Sequence, residues 1–207
     1  MPKLKKEVKN CLLKGDFQTI LRLGKNNRGH VTGALLASLY STDDLLRWRA
    51  VESLGLLVDQ LSRQDPDRAR EIVRNLFWAL NDESGGSGWA SPEAVGEIIR
   101  HRPELFSDFI SIMVSFQDDP SLIRGIVWSL GRIGEKNPEL VSDYNPLLLE
   151  LLDSPDPQLR GLALWSLLKI KAVIPAPRLQ ALQKDPGSFT VYENGNLHTL
   201  PIAKLPD

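Results

Sequence analysis

The sequence predicts an all-α fold, an α-α superhelix of stacked helical pairs, closed by a short C-terminal β-hairpin. Three observations carry this expectation. Four segments recur at near-regular spacing along the chain. An acidic or hydroxyl residue stands before most of them, usually with a proline behind it. Near the end, an Asn-Gly pair separates two β-prone runs.

The repeated segments are RWRAVESLGLL from Arg47, GWASPEAVGEI from Gly88, IRGIVWSLGRI from Ile123 and RGLALWSLLKI from Arg160. Aligned on Gly55, Gly96, Gly131 and Leu168, they are spaced by 41, 35 and 37 residues. Apolar side chains precede the anchors at helical intervals: Ala50, Val51 and Leu54 in the first, Ile126, Val127 and Leu130 in the third, Ala163, Leu164 and Leu167 in the fourth. That spacing puts them on one face of an amphipathic helix. Asp43, Ser91, Asp119 and Asp156 are expected as N-caps, and Pro92, Pro120 and Pro157 suit the first helical position of the last three. Another apolar-periodic stretch precedes each of these helices, at about 31–40, 67–80, 103–115 and 138–152, with Pro66, Pro103 and Pro138 marking starts. The unit is therefore helix–turn–helix. One such pair cannot bury both faces alone, and stacking supplies the core.

LLDSPDPQLRGLALWSLLKI (151–170) and SFQDDPSLIRGIVWSLGRIG (115–134) carry an Asp-Pro turn, an arginine and then a small-residue helix. At these residues the chain resembles HEAT-repeat proteins, especially the short HEAT-like repeats of phycobilin lyases. The resemblance spans about residues 30–171. It implies a binding scaffold, without identifying a ligand. The segment from Asp43 lacks the proline, and Ser91-Pro92 stands where a helix interior belongs in that pattern.

The reading assigns a single solenoid domain to 1–185, with an N-terminal cap at about 1–27, repeats at about 28–171 and a capping helix at about 175–185. Gly15-Asp16 breaks the cap. Residues 186–207 form the hairpin and tail, where FTVYENGNLHTLPI places Asn194-Gly195 between strand-like runs. The hairpin is expected to pack on the last helices, since one alone is marginal in water.

Composition is that of a soluble globular chain: 42% hydrophobic, 25% charged, net charge −1 over 207 residues. No apolar run reaches membrane-spanning length, and the N-terminal lysines lead into no signal-peptide core. With the single Cys11, these features point to the cytoplasm and leave no disulfide framework. Charge is uneven, however. Residues 1–30 hold eight Lys/Arg and two acids, a net of +6, so the remainder sums to −7. The near-neutral total argues against nucleic acid as the dedicated partner.

In such repeats the second helix of each pair lines the concave, binding face. Three residues before each anchor stand Glu52, Glu93, Trp128 and Trp165. A turn earlier come Trp48, Trp89, Arg124 and Gly161, and a turn after the first set come Leu56, Glu97, Arg132 and Lys169. These positions lie off the core stripe and are expected to face outward. The stripe is acidic early and basic-aromatic late. Trp48, Glu52, Trp89, Glu93, Glu97, Arg124, Trp128, Arg132, Trp165 and Lys169 are therefore the candidate partner-binding residues, tryptophan and arginine being favoured anchors. Arg124 and Arg132 are expected to flank the Trp128 indole. The loop NDESGGSGWAS (81–91), with Asp82, Glu83, Ser84, Gly85 and Gly86, is the second candidate, as a binding loop at the groove edge.

No catalytic constellation is recognised. His30, His101 and His198 lack ligand-spaced companions, no metal site is expected, and no cofactor is implied. The favoured function is a non-catalytic, monomeric scaffold that binds a protein or peptide through its concave face, with no membrane contact. The alternatives are a lyase-like or chaperone-like protein holding a tetrapyrrole or other small ligand, and a nucleic-acid-binding HEAT-like protein.

Overall fold

The computed structural model describes residues 2–80 and 90–205. The fold is all-α with one two-stranded antiparallel hairpin. Among the described residues the helices are α1 (Pro2–Lys14), α2 (Phe17–Ser38), α3 (Asp44–Ser62), α4 (Pro66–Leu80), α5 (Ser91–His101), α6 (Pro103–Phe106), α7 (Phe109–Val114), α8 (Ile123–Gly134), α9 (Asn145–Leu151), α10 (Pro157–Ile170) and α11 (Ala176–Leu182). The strands are β1 (Ser188–Glu193) and β2 (Asn196–Pro201). The chain divides into two compact units, Met1–Phe109 and Ile110–Asp207, and the hairpin belongs to the second.

In the first unit, Gly15 turns the chain with a positive φ of 68° and Asp16 caps α2 by accepting from the Thr19 amide at 3.0 Å. The helix that follows runs past the expected end of the cap. It is bent at Asn27 (φ −136°, ψ 40°), so cap and first repeat helix are one kinked element. Asp43 caps α3 as expected, its carboxylate accepting from the Leu46 amide at 3.0 Å. Asp43→Ala is expected to cost about 1 kcal/mol in urea unfolding, the usual worth of such a cap. The α3 stripe Ala50, Val51, Leu54 and Val58 is buried against α2 and α5. Gly55 is where α5 comes closest: a Cβ there would lie 2.7 Å from Glu97 Cγ. Ser91 is not an N-cap. It is the first residue of α5 and is buried, and Ala90 precedes it with no side-chain cap. The stretch expected as one helix from 103 breaks at Ser107-Asp108 into α6 and α7. Arg70 of α4 holds the break, bonding the Leu105 carbonyl and pairing with Asp108 at 2.5 Å. The same guanidinium lies 4.7 Å from the Phe109 ring centroid, and Phe77 stacks on Phe109 at 5.6 Å.

In the second unit, Asp119-Pro120 makes a turn rather than a cap. Asp119 accepts from the Ser121 amide and hydroxyl at 2.8 and 2.7 Å, and α8 starts only at Ile123. The stretch 138–152 is two single 3-10 turns followed by the short α9. Asp156-Pro157 opens α10 as expected, with Asp156 accepting from the Gln158 amide at 3.0 Å. Helices α8 and α10 pack face to face at Gly131, where a Cβ would meet Trp165 and Ser166 at 2.6 Å. The Ser166 hydroxyl donates to the Val127 carbonyl across that seam at 2.8 Å. Asn194 and Gly195 both have positive φ, 51° and 78°, as a type I′ turn requires. The hairpin register runs from Glu193↔Asn196 to Ser188↔Pro201. Phe189, Val191, Tyr192 and Ile202 are buried, which gives this small sheet the packing that an isolated hairpin lacks.

Candidate functional site

The two units treat the aligned second-helix positions differently. In the second unit the expected groove residues lie beneath other parts of the chain. Trp128 is 1% exposed, and its indole Nε1 donates to the Tyr192 carbonyl at 3.1 Å. Trp165 is 4% exposed and lies against Gly131 in the α8–α10 seam. Arg132 is buried as well, with its guanidinium 5.5 Å from the Trp128 ring and 3.2 Å from Glu135. The expectation that Trp128, Arg132 and Trp165 face outward is therefore corrected. They do lie off the stripe formed by Ile126, Val127 and Leu130, but strand β1 and the neighbouring helix supply a further packing layer. Arg124 does not flank the indole. It stays exposed and pairs with Asp156 at 2.7 Å.

Strand β1 is held on this face through its outer backbone edge. The Gln158 amide donates to the Thr190 carbonyl at 2.7 Å and accepts from the Thr190 amide at 2.8 Å, so one side chain imitates a neighbouring strand. Trp128 satisfies the next outward carbonyl, two residues on. Lys169 bridges Glu193 of the strand (2.5 Å) and Glu135 of α8 (3.0 Å), 5.5 Å from the Trp165 ring. Burial opposes the Lys169 charge, yet the hydrogen bonds to Glu193 and Glu135 outweigh it and raise the pKa above the ordinary lysine value. Gly161 permits the approach, because any Cβ there would strike the Phe189 ring. Sequence reasoning missed Gln158, Glu135 and Glu193. Gly161 was the available signal, a missing side chain on a face otherwise rich in large ones.

In the first unit the same positions form a polar, partly covered face. Trp48 and Glu52 of α3 are half-buried. Glu97 of α5 is 1% exposed, which corrects the expectation of a solvated acidic face. Its carboxylate is 3.2 Å from Arg100 and 3.4 Å from His101, one turn along the same helix. The Arg100 guanidinium makes burial of the carboxylate tolerable. Glu93 is partly exposed as a residue, but its Oε2 is shielded from water and makes no hydrogen bond. Burial pushes the Glu93 carboxyl up to about 7, against the opposing pull of its own backbone amide and the Arg47 charge. Trp89 and the loop candidates Asp82, Glu83, Ser84, Gly85 and Gly86 lie outside the described residues.

Among the described residues, no three His, Cys, Asp or Glu side chains converge as metal ligands, and no helix is long and apolar enough to cross a membrane.

No family model matches the chain. A protein of Archaeoglobus fulgidus, described only as uncharacterized, is 37% identical over 119 residues, covering 57% of this chain and 60% of that protein. The chain thus spans about 60% of that relative's length. Among solved structures, the crystal structure of an engineered protein from the Northeast Structural Genomics Consortium aligns over 86% of this chain and 46% of its own, at 16% identity and a TM-score of 0.49.

Proposed function

We propose that this chain is a non-catalytic scaffold of short HEAT-like repeats that binds an extended segment of a protein partner on the second-helix face of its first unit. The observation that supports the reading is the capture of β1 in the second unit. There, side chains at the repeat's aligned face hold a strand by its backbone: Trp128 to the Tyr192 carbonyl and Gln158 to both polar groups of Thr190. Main-chain hydrogen bonds of this kind give affinity for an extended peptide with little dependence on its sequence. In the first unit the positions aligned with Trp128 are Glu52 on α3 and Glu93 on α5, with Trp48 one turn before Glu52. Because the Glu93 carboxyl is shielded, Glu52 and the indole are what favour a segment carrying Lys or Arg, with the tryptophan as its packing anchor.

The test is display selection of random short peptides on the intact chain, followed by affinity measurement of the enriched sequences. Enrichment of Lys/Arg-containing peptides is expected, with Trp48→Ala weakening them about 30-fold, the equivalent of a 2 kcal/mol hot spot. Peptides that bind folded Trp48→Ala as tightly as wild type would place the binding face elsewhere. A selection that enriches nothing removes the peptide reading.

A further inference from the structure

We propose that the N-terminal helix α1 docks on double-stranded DNA by lying in the major groove and contacting phosphates on both sides. The proposal is independent of the peptide reading, because it concerns different residues on a different surface.

The charge is local and only partly compensated. Lys3, Lys5, Lys6, Lys9, Lys14, Arg22 and Lys25 are all exposed. None takes part in an ion pair among the described residues, whereas Arg47, Arg63, Arg70, Arg102, Arg160 and Lys169 each face a carboxylate. Of the two acids in the segment, Asp16 stays ionised, because the hydrogen bonds from Thr19 and the nearby Arg22 and Lys14 charges hold its carboxyl below the usual range, and with Glu7 it offsets part of the positive charge. The overall charge of −1 does not cancel this surface. Charges more than a Debye length away, about 8 Å at physiological salt, are largely screened.

The chemistry of the surface separates possible partners. The apolar face of α1 (Val8, Cys11 and Leu12) is consumed by packing inside the unit, so it is not available to insert between lipid acyl chains. A protein interface has a charge-depleted, aromatic-rich centre, whereas here the centre carries Lys6 and Asn10 and no aromatic side chain. Interfaces with DNA are strongly positive and polar.

Geometry adds a reason for a groove. At about 100° per residue, Lys5 and Lys9 fall on one flank of the solvent side of α1, Lys3 and Lys14 with Glu7 on the other, and Lys6 with Asn10 and the exposed Leu13 between them. A helix with its side chains is about 10–12 Å across and the B-DNA major groove about 12 Å wide. The two flanks then face the two phosphate walls, while a flat anionic bilayer would meet only the central stripe. Lysines on phosphates position a protein without reading sequence, so binding is expected to be sequence-independent.

The experiment is fluorescence anisotropy of a labelled 20-base-pair duplex with the full chain, titrated at several salt concentrations. Four phosphate contacts predict a log–log salt slope near −3.6, a loss of about 150-fold between 50 and 200 mM. The Lys5→Gln/Lys9→Gln variant is expected to bind about 100-fold more weakly at 50 mM, with a slope shallower by about 2. Lys184→Gln, an exposed lysine of the second unit, serves as the control and is expected to bind as wild type. Circular dichroism verifies that each variant is folded. Absence of duplex binding at 50 mM overturns the proposal. So does an unchanged slope in the folded double variant, or binding to phosphatidylserine vesicles without binding to duplex.

Discussion

Trp128→Ala is expected to destabilise the chain by about 4 kcal/mol in urea unfolding, and Trp128→Phe by much less. Removing a fully buried indole loses its transfer energy and leaves a cavity, which for large aromatic side chains costs about 3–5 kcal/mol. The indole also donates to the Tyr192 carbonyl, and losing that donor strands a buried acceptor, worth about 1–3 kcal/mol. Phenylalanine keeps most of the volume and forfeits mainly the hydrogen bond. The contrast with an exposed groove residue is sharp, since surface substitutions stay within about 0.5 kcal/mol. A folded Trp128→Ala variant with wild-type stability would therefore return this residue to the surface and remove the strand-capture argument. Amide exchange gives a second reading. Loss of the indole should release protection at the amides of β1 before those of α8, because β1 is the element the indole ties down.

The legible parts of the fold are those with local causes. Asp43 and Asp156 cap their helices because a carboxylate three or two residues ahead of a free amide reaches it without tertiary help. Asn194-Gly195 forms the hairpin turn because those residue types tolerate positive φ. The anchors Gly55 and Gly131 mark close helix approach, as a missing Cβ in an apolar repeat suggests. Asp119-Pro120 failed as a cap because Asp119 found a nearer partner in Ser121, and the helix began later. The candidate site was less legible for a different reason. Helical periodicity distinguishes the seam between two helices from the remaining faces, but it is blind to a third element laid over one of those faces. Trp128 meets its partner 64 residues further along the chain, and nothing in the local pattern carries that contact. Glu97 was readable in principle. Arg100 follows at three residues, a spacing at which a helix brings a carboxylate and its counter-charge together.

Glu93→Gln is expected to stabilise the chain above neutral pH, by up to about 3 kcal/mol. The reason is linkage. An unfolded glutamate titrates near 4.5, whereas burial moves the native carboxyl up to about 7. Between these values the native state holds a proton that the unfolded state has released. Stability is then full below pH 4.5, declines as pH rises, and levels off above 7, where both states are ionised and the native one carries a shielded charge. A displacement of about 2.5 pH units at 1.36 kcal/mol each sets the size. Glutamine has nearly the same shape, never ionises and removes that dependence. Urea unfolding of wild type and variant at fixed ionic strength, from pH 4.5 to pH 8, should give curves that meet at the acid end and separate progressively toward pH 8. Arg47 supplies the opposing attraction, so Arg47→Gln should widen the wild-type decline rather than flatten it. A variant whose advantage is the same at every pH would mean that the native carboxyl ionises like an ordinary glutamate. The gain would then come from packing, and Oε2 would have to be hydrated in solution. A curve that separates as described would identify Glu93 as a carboxylate kept at the expense of stability on the face where the partner segment is proposed to bind.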